Sequence, residues 1–188
     1  ALDKDVRTLL TETKAGDKIT ESADYQTVFH EMEKIAAADS DNIQAVWLGD
    51  IDANVVTQSD GFTSDSSFEI TERTWYRAVE TNSTILTSAY VDASTGNLIL
   101  SAATPVYDEN GKNIIGVAGA DIALEHIDEL LSAYKIGNNG FVILVTSDGT
   151  IIYHPNSDNQ LKNLSELNVS DSVMKAIQSQ NGTSVKYK

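Results

Sequence analysis

The chain has 188 residues, 28 acidic against 13 basic, and a formal net charge of −15, and its ten Lys and three Arg are thinly spread with no basic run. That excludes a nucleic-acid binder and a protein docked on anionic lipid, while 41% hydrophobic and 22% charged residues describe a globular protein of one large domain or two small ones. Zero Cys exclude a disulfide framework, thiol catalysis and Cys-based zinc sites, and leave the compartment open.

No run approaches the roughly 18 apolar residues that span a bilayer, and the opening Ala-Leu-Asp-Lys-Asp-Val-Arg lacks an apolar signal core. Val6, Leu9 and Leu10 read as the tail of an amphipathic helix and Thr183–Tyr187 as a strand that stops, so the chain reads as an excised domain. Asp24 is a plausible N-cap for a helix over 24–38, with Val28, Met32, Ile35 and Ala36 on one face. Ile43–Leu48 and Asn54–Thr57 read as a hairpin about the acidic turn Gly49-Asp50-Ile51-Asp52, and Gln58–Ser67 as loop. Asn97–Pro105 and Ile114–Ala120, joined by Asp108-Glu109-Asn110-Gly111, extend an antiparallel sheet. Ile122, Ile127, Leu130, Leu131 and Tyr134 recur at helical spacing, and Gly137 ends that helix. Beyond Gly140, Phe141–Val145 and Thr150–Tyr153 flank Ser147-Asp148-Gly149 and repeat the strand, acidic turn, strand order seen at 45–56. This repeat points to two related sheet lobes with a boundary near 122–137. A helix around Ser170–Ser179 and the terminal strand complete the chain.

Enzyme signatures are scarce: there is no Gly-x-Ser-x-Gly elbow, phosphate loop, dinucleotide fingerprint or His-Glu-x-x-His. His30 and His126 stand beside glutamates on helices and read as solvated, and His154 before Pro155 reads as a turn residue. Asn-x-Ser/Thr matches at Asn82, Asn163, Asn168 and Asn181 are what this composition produces by chance. One constellation stands out. Two of the three arginines flank one of the two tryptophans in Arg73-Thr74-Trp75-Tyr76-Arg77, offering a flat apolar wall beside a cation that grips a carboxylate bidentately. The competing reading puts Trp75 in the core and pairs Arg73 with Glu72 or Glu69. Tyr90 and Asp92, two apart in an extended segment, share a face, although Asp92 could merely start the turn to Gly96. Asp121 follows the small-residue run Gly116–Ala120 and could be only an N-cap for the helix after it.

Beyond Arg73-x-Trp75-Tyr76 and Tyr90-x-Asp92, the chain carries Thr95-Gly96, Thr104-Pro105-Val106-Tyr107, Gly116-Val117-x-Gly119-x-Asp121-Ile122, Gly137-x-x-Gly140-Phe141, Asp148-Gly149 and His154-Pro155. With these in order from Tyr25 to Tyr187 it resembles the double Cache sensor family, the extracytoplasmic ligand-binding domains of bacterial and archaeal chemoreceptors and sensor histidine kinases. The resemblance implies an α+β fold, a long N-terminal helix with two PAS-like antiparallel lobes. Residues 1–23 would end that helix, 24–124 would be the membrane-distal ligand-binding lobe and 125–188 the proximal one. Transmembrane helices outside this chain would lead to a cytoplasmic output in a homodimeric membrane receptor. It implies no catalysis, cofactor or metal.

The amino-acid-sensing subgroup of the family implies a site of Phe68, Arg73, Trp75, Tyr76, Tyr90, Asp92 and Asp121, with Arg73, Trp75 and Tyr76 on the ligand carboxylate and Tyr90, Asp92 and Asp121 on its ammonium. Phe68 departs from the Tyr usual there, which costs one hydrogen bond of roughly 0.5–1.5 kcal/mol and weakens the grip without abolishing it. One guanidinium and two carboxylates complement a zwitterion, and loop residues near Trp47, Ala102 and Thr104 are expected to read the ligand side chain. The same sensor class also admits a pyrimidine, purine, amine or small carboxylate. A secreted hydrolase using Asp92 and Asp121 is the remote alternative, disfavoured because Arg73 should push both acids down together.

Overall fold

The computed structural model describes residues 2–65, 67–124, 131, 134, 136–138, 140–146, 149–167 and 169–179. The chain separates into two compact units, residues 1–87 with 91–123 and residues 88–90 with 124–188.

In the first unit, helices α1 (Leu2–Glu12) and α2 (Tyr25–Ala38) precede the strands. Asp24 occupies the N-cap position of α2, but its backbone is already helical and its side chain makes no capping bond. Val28 and Met32 are buried, whereas Ile35 on the same stripe is 44% exposed. Strands β1 (Ile43–Asp50) and β2 (Val55–Gln58) form the expected hairpin, with β1 running two residues further than its apolar run because Gly49 and Asp50 still pair with Val56 and Val55. After the irregular segment that follows come a short helix α3 (Arg77–Glu80), two-residue strands β3 (Ile85–Leu86) and β4 (Tyr90–Val91), and long strands β5 (Leu98–Tyr107) and β6 (Ile114–Ala123).

The sheet is antiparallel along β2-β1-β6-β5-β3, with β4 also paired to β5. Because strand side chains alternate, register assigns the two faces. Asp121 lies between Ala45 and Ser101, and Gly119 between Trp47 and Ala103. Val46, Leu48 and Ala118 point to the other face, where α1 and α2 close a core of Leu9, Ile19, Tyr25, Val28 and Met32.

The helix expected from Ile122 is a correction. Ile122 and Ala123 remain in β6, paired with Leu100 and Ile99, so Asp121 is a mid-sheet residue and not a helix cap. Most of that predicted helix, with His126, lies outside the described residues, as do the terminal strand and Asp148.

In the second unit β7 (Leu144–Val145) pairs antiparallel with β8 (Ile151–Tyr153), a shorter β7 than the predicted Phe141–Val145, and helix α4 spans Asp171–Ser179. Ile151, Ile152, Tyr153 and Leu164 are buried in it. Among the described residues no helix is long and apolar enough to cross a membrane.

Candidate functional site

The site is built on the sheet face opposite the helices. β1 supplies Trp47, whose indole lies flat over Gly119: a Cβ at 119 would sit 2.2 Å from Trp47 Cζ2. Only glycine lets the ring cross the neighbouring strand there. So placed, Trp47 Nε1 donates to Asp121 Oδ1 at 2.7 Å, and Ser101 Oγ donates to the same oxygen at 2.6 Å. Asp121 is 2% exposed, and burial pushes its carboxyl up to about 6, with the two donors opposing and the charges of Asp92 and Asp60 adding to the rise.

Trp75 is also buried and packs on Trp47, ring centroids 4.7 Å apart at 43°. It stands on a 310 turn, Thr74–Tyr76, that packs against β5, and Gly49 leaves room for its ring edge. The residue before that turn, Arg73, lays its guanidinium 3.7 Å from the centroid of the Phe68 ring, a cation–π contact. Its Nε is buried without a hydrogen-bond partner among the described residues. Among the described residues Arg73 forms no ion pair, so the pairing with Glu72 or Glu69 is not seen. Tyr76 is half-buried on the same turn.

Asp92 starts the turn to Gly96, as one of its two readings held, and is only 6% exposed. Its Oδ2 accepts from Gln44 Nε2, Ser94 Oγ, Thr95 N and Thr95 Oγ1 at 2.6–3.0 Å, whereas among the described residues Oδ1 receives only the Ser94 N–H at 3.2 Å. Burial alone would raise this carboxyl, but the donors of Thr95 and Ser94 outweigh it and hold it below the usual carboxylate range. The expectation that Arg73 depresses both acids together is therefore wrong: their surroundings, one dry and the other rich in donors, drive them apart.

Six of the seven expected residues thus belong to the first unit, and Tyr90, half-buried in β4, groups with the second. Ala102 and Thr104 alternate to the helix face: they sit opposite Ala120 and Ala118, and Thr104 lines a groove there with Val28, Met32, Trp47 and Leu48. Sequence reading missed Ser101, Gln44, Ser94 and Thr95. Ser94 and Thr95 carried a local signal, since Asp followed by hydroxyls and Gly is an Asx-turn pattern. Ser101 is revealed only by strand register, and Gln44, at the register shift between Ile43 and Ala45, only by its bond to Asp92.

A Cache domain family model matches residues 4–188. The methyl-accepting chemotaxis protein PscA of Pseudomonas syringae pv. tomato is 34% identical over 128 residues, covering 68% of this chain and 20% of the receptor's length, so the chain spans about a fifth of that relative. Among solved structures, the ligand-binding domain of the Pseudomonas fluorescens chemoreceptor CtaA in complex with L-valine is 27% identical, with a TM-score of 0.60 over 88% of this chain and 68% of that one. The ligand-binding domain of the Pseudomonas aeruginosa amino-acid chemoreceptor PctC in complex with GABA is 28% identical, with a TM-score of 0.63 over 86% and 69%. With its markers in order, its antiparallel lobe and a family match over nearly its whole length, the chain belongs to the Cache domain family of sensor domains.

Proposed function

We propose that the first unit binds an α-amino acid as the extracytoplasmic sensor of a membrane-bound, homodimeric chemoreceptor. The observation that carries this reading is the unsatisfied Arg73: its Nε is buried without a partner, in the same unit as two buried carboxylates fixed by their own donors. A ligand carboxylate supplies the missing acceptor. The ammonium takes Asp92 Oδ1, which has one long bond, and Asp121 Oδ2, since both Asp121 bonds fall on Oδ1. Phe68, Trp75 and Trp47 exclude water, and Tyr76 completes the wall. The L-valine held by CtaA supports the α-amino-acid class, and the GABA held by PctC supports a zwitterion. Signalling follows if the ligand favours one of two conformers.

Isothermal titration calorimetry tests this. L-valine should bind, isobutylamine, which lacks the carboxylate, should bind at least a hundredfold more weakly, and Arg73→Ala should abolish L-valine binding while the circular dichroism spectrum is retained. Undiminished L-valine binding by Arg73→Ala, hydrolysis or other turnover of L-valine, or a panel of amino acids that leaves the melting midpoint unmoved while a pyrimidine, purine or amine raises it, would overturn the reading.

A further inference from the structure

The second unit contains a cavity of about 370 Å³ that the proposed amino-acid site does not use, within the size range of small-molecule pockets. Ile143, Leu164 and Val173 give it an aliphatic wall, and Phe141, 56% exposed, stands at its rim. Its polar members are His154, Asn159 and Ser170, and no Asp, Glu, Lys or Arg is among its described lining residues.

His154 is oriented from two sides. Its ring meets Phe141 edge-on, centroids 5.3 Å apart. Its Nδ1 stands 2.9 Å from the Asn156 backbone N–H and 3.2 Å from the Asn156 carbonyl; in the tautomer that accepts the shorter bond, the neutral imidazole carries its proton on Nε2. The Asn159 amide nitrogen stands 3.4 Å from that Nε2. Two N–H groups cannot bond to each other, and side by side they ask for an acceptor. The Ser170 hydroxyl, 3.0 Å from that of Ser172, can accept there and keep its own proton for a third bond. The loop that brings Asn159 and Leu164 to the cavity is pinned to β8 by Leu161 N to Ile151 O at 2.8 Å and Ile151 N to Lys162 O at 3.0 Å, and Leu161 is held at φ +66°. A left-handed backbone at a bulky residue persists only where its surroundings fix it.

We infer that this cavity is a second ligand site, for a small aliphatic monocarboxylate whose carboxylate faces His154, Asn159 and Ser170 and whose alkyl chain lies against Ile143, Leu164 and Val173. A carboxylate is an acceptor-only head group and matches three donors. A primary amide brings two further N–H groups that the cavity would leave unpaired, which costs affinity.

Calorimetric titration of the whole 188-residue chain with isovalerate tests it. Isovalerate should bind in the presence of saturating L-valine and equally to Arg73→Ala, with isovaleramide at least tenfold weaker. Val173→Trp, which fills the cavity, and His154→Ala, which only removes a donor, should each weaken isovalerate at least tenfold and leave L-valine binding unchanged. Displacement by L-valine, loss in Arg73→Ala, undiminished binding by both cavity variants, equal binding of the amide, or no binding at millimolar concentration would each overturn the inference. The Arg73→Ala arm separates its failure from that of the amino-acid reading.

Discussion

On the helix-covered face of the large sheet, Asp50 is fully buried, its Oδ1 accepting the Ala53 N–H and its Oδ2 without a partner among the described residues. On the opposite face Asp121 is buried almost as deeply, but Trp47 and Ser101 both donate to it. Burial pushes each to about 6. Around Asp50 the remaining influences are the backbone of Ala53 and Asp52, the Asp52 charge and Lys14, itself bridged to Asp52 at 3.1 Å. The shared shift therefore conceals two designs. Asp50 is a carboxyl caught where α1 and the β1–β2 turn close over it, whereas Asp121 is held by two donors on one oxygen, which leaves the other for a cation. A perturbed buried acid marks a site only when its neighbours orient it.

The largest effect expected from breaking the Asp121 side of this comparison is Gly119→Ala. The new Cβ overlaps the Trp47 ring, and displacing the indole both strains the packing and strips a donor from a buried carboxylate. Overpacking of this kind costs about 1–3 kcal/mol and an orphaned buried polar group about as much again, about 4 kcal/mol together. Chemical denaturation should show that loss, and L-valine binding should fall with it. Unchanged stability would mean that Trp47 moves away freely and does not position Asp121.

The pH dependence separates the two acids. Their ordinary value is 3.8 and their folded value about 6, so the folded state holds more protons in between. The stability this confers is complete below about 3.8 and is lost as pH rises through about 6, by no more than about 3 kcal/mol for each acid and less where water screens it. Asp50→Asn should remove its share of the decline and raise the melting midpoint at pH 7. Asp121→Asn should flatten the remaining share while weakening L-valine. Saturating L-valine should suppress the Asp121 share and leave that of Asp50, because only Asp121 would meet an ammonium. Melting curves between pH 4 and 7.5 check this, and L-valine acting equally on both variants would erase the distinction.

Local pattern was enough for α2, the β1–β2 hairpin and the long strands, because each carries its own periodicity and turn residues. Through the family markers it singled out Arg73, Trp75, Asp92 and Asp121, which fall in one compact unit. It failed where the answer lies in pairing between distant strands. Helical spacing from Ile122, with Asp121 as its cap, suggested a strand ending at Ala120, yet β5 and β1 flank β6 and carry it three residues further. The same register sends Ala102 and Thr104 to the helix face and puts Ser101 beside Asp121. Alternation within a strand tells which residues share a face, but not which face meets which neighbour.

The smallest expected effect probes the one residue by which the site departs from its subgroup. Phe68 stacks under Arg73 and touches Phe62 edge-on, centroids 6.5 Å apart. Phe68→Tyr keeps the ring face on which the guanidinium rests and adds a hydroxyl at the ring's far end, on a half-buried residue where water can reach. If that hydroxyl meets the ligand carboxylate, L-valine binding should tighten by about 0.5–1.5 kcal/mol, roughly two- to twelvefold, with little change in melting midpoint of the unliganded chain. If affinity does not change, residue 68 acts only as the platform that holds Arg73, and Phe68→Leu should then weaken L-valine by removing the cation–π contact, an effect of about 0.5–1 kcal/mol at a partly exposed site. Calorimetry on the two variants decides between a ring that touches the ligand and a ring that touches only its receptor arginine.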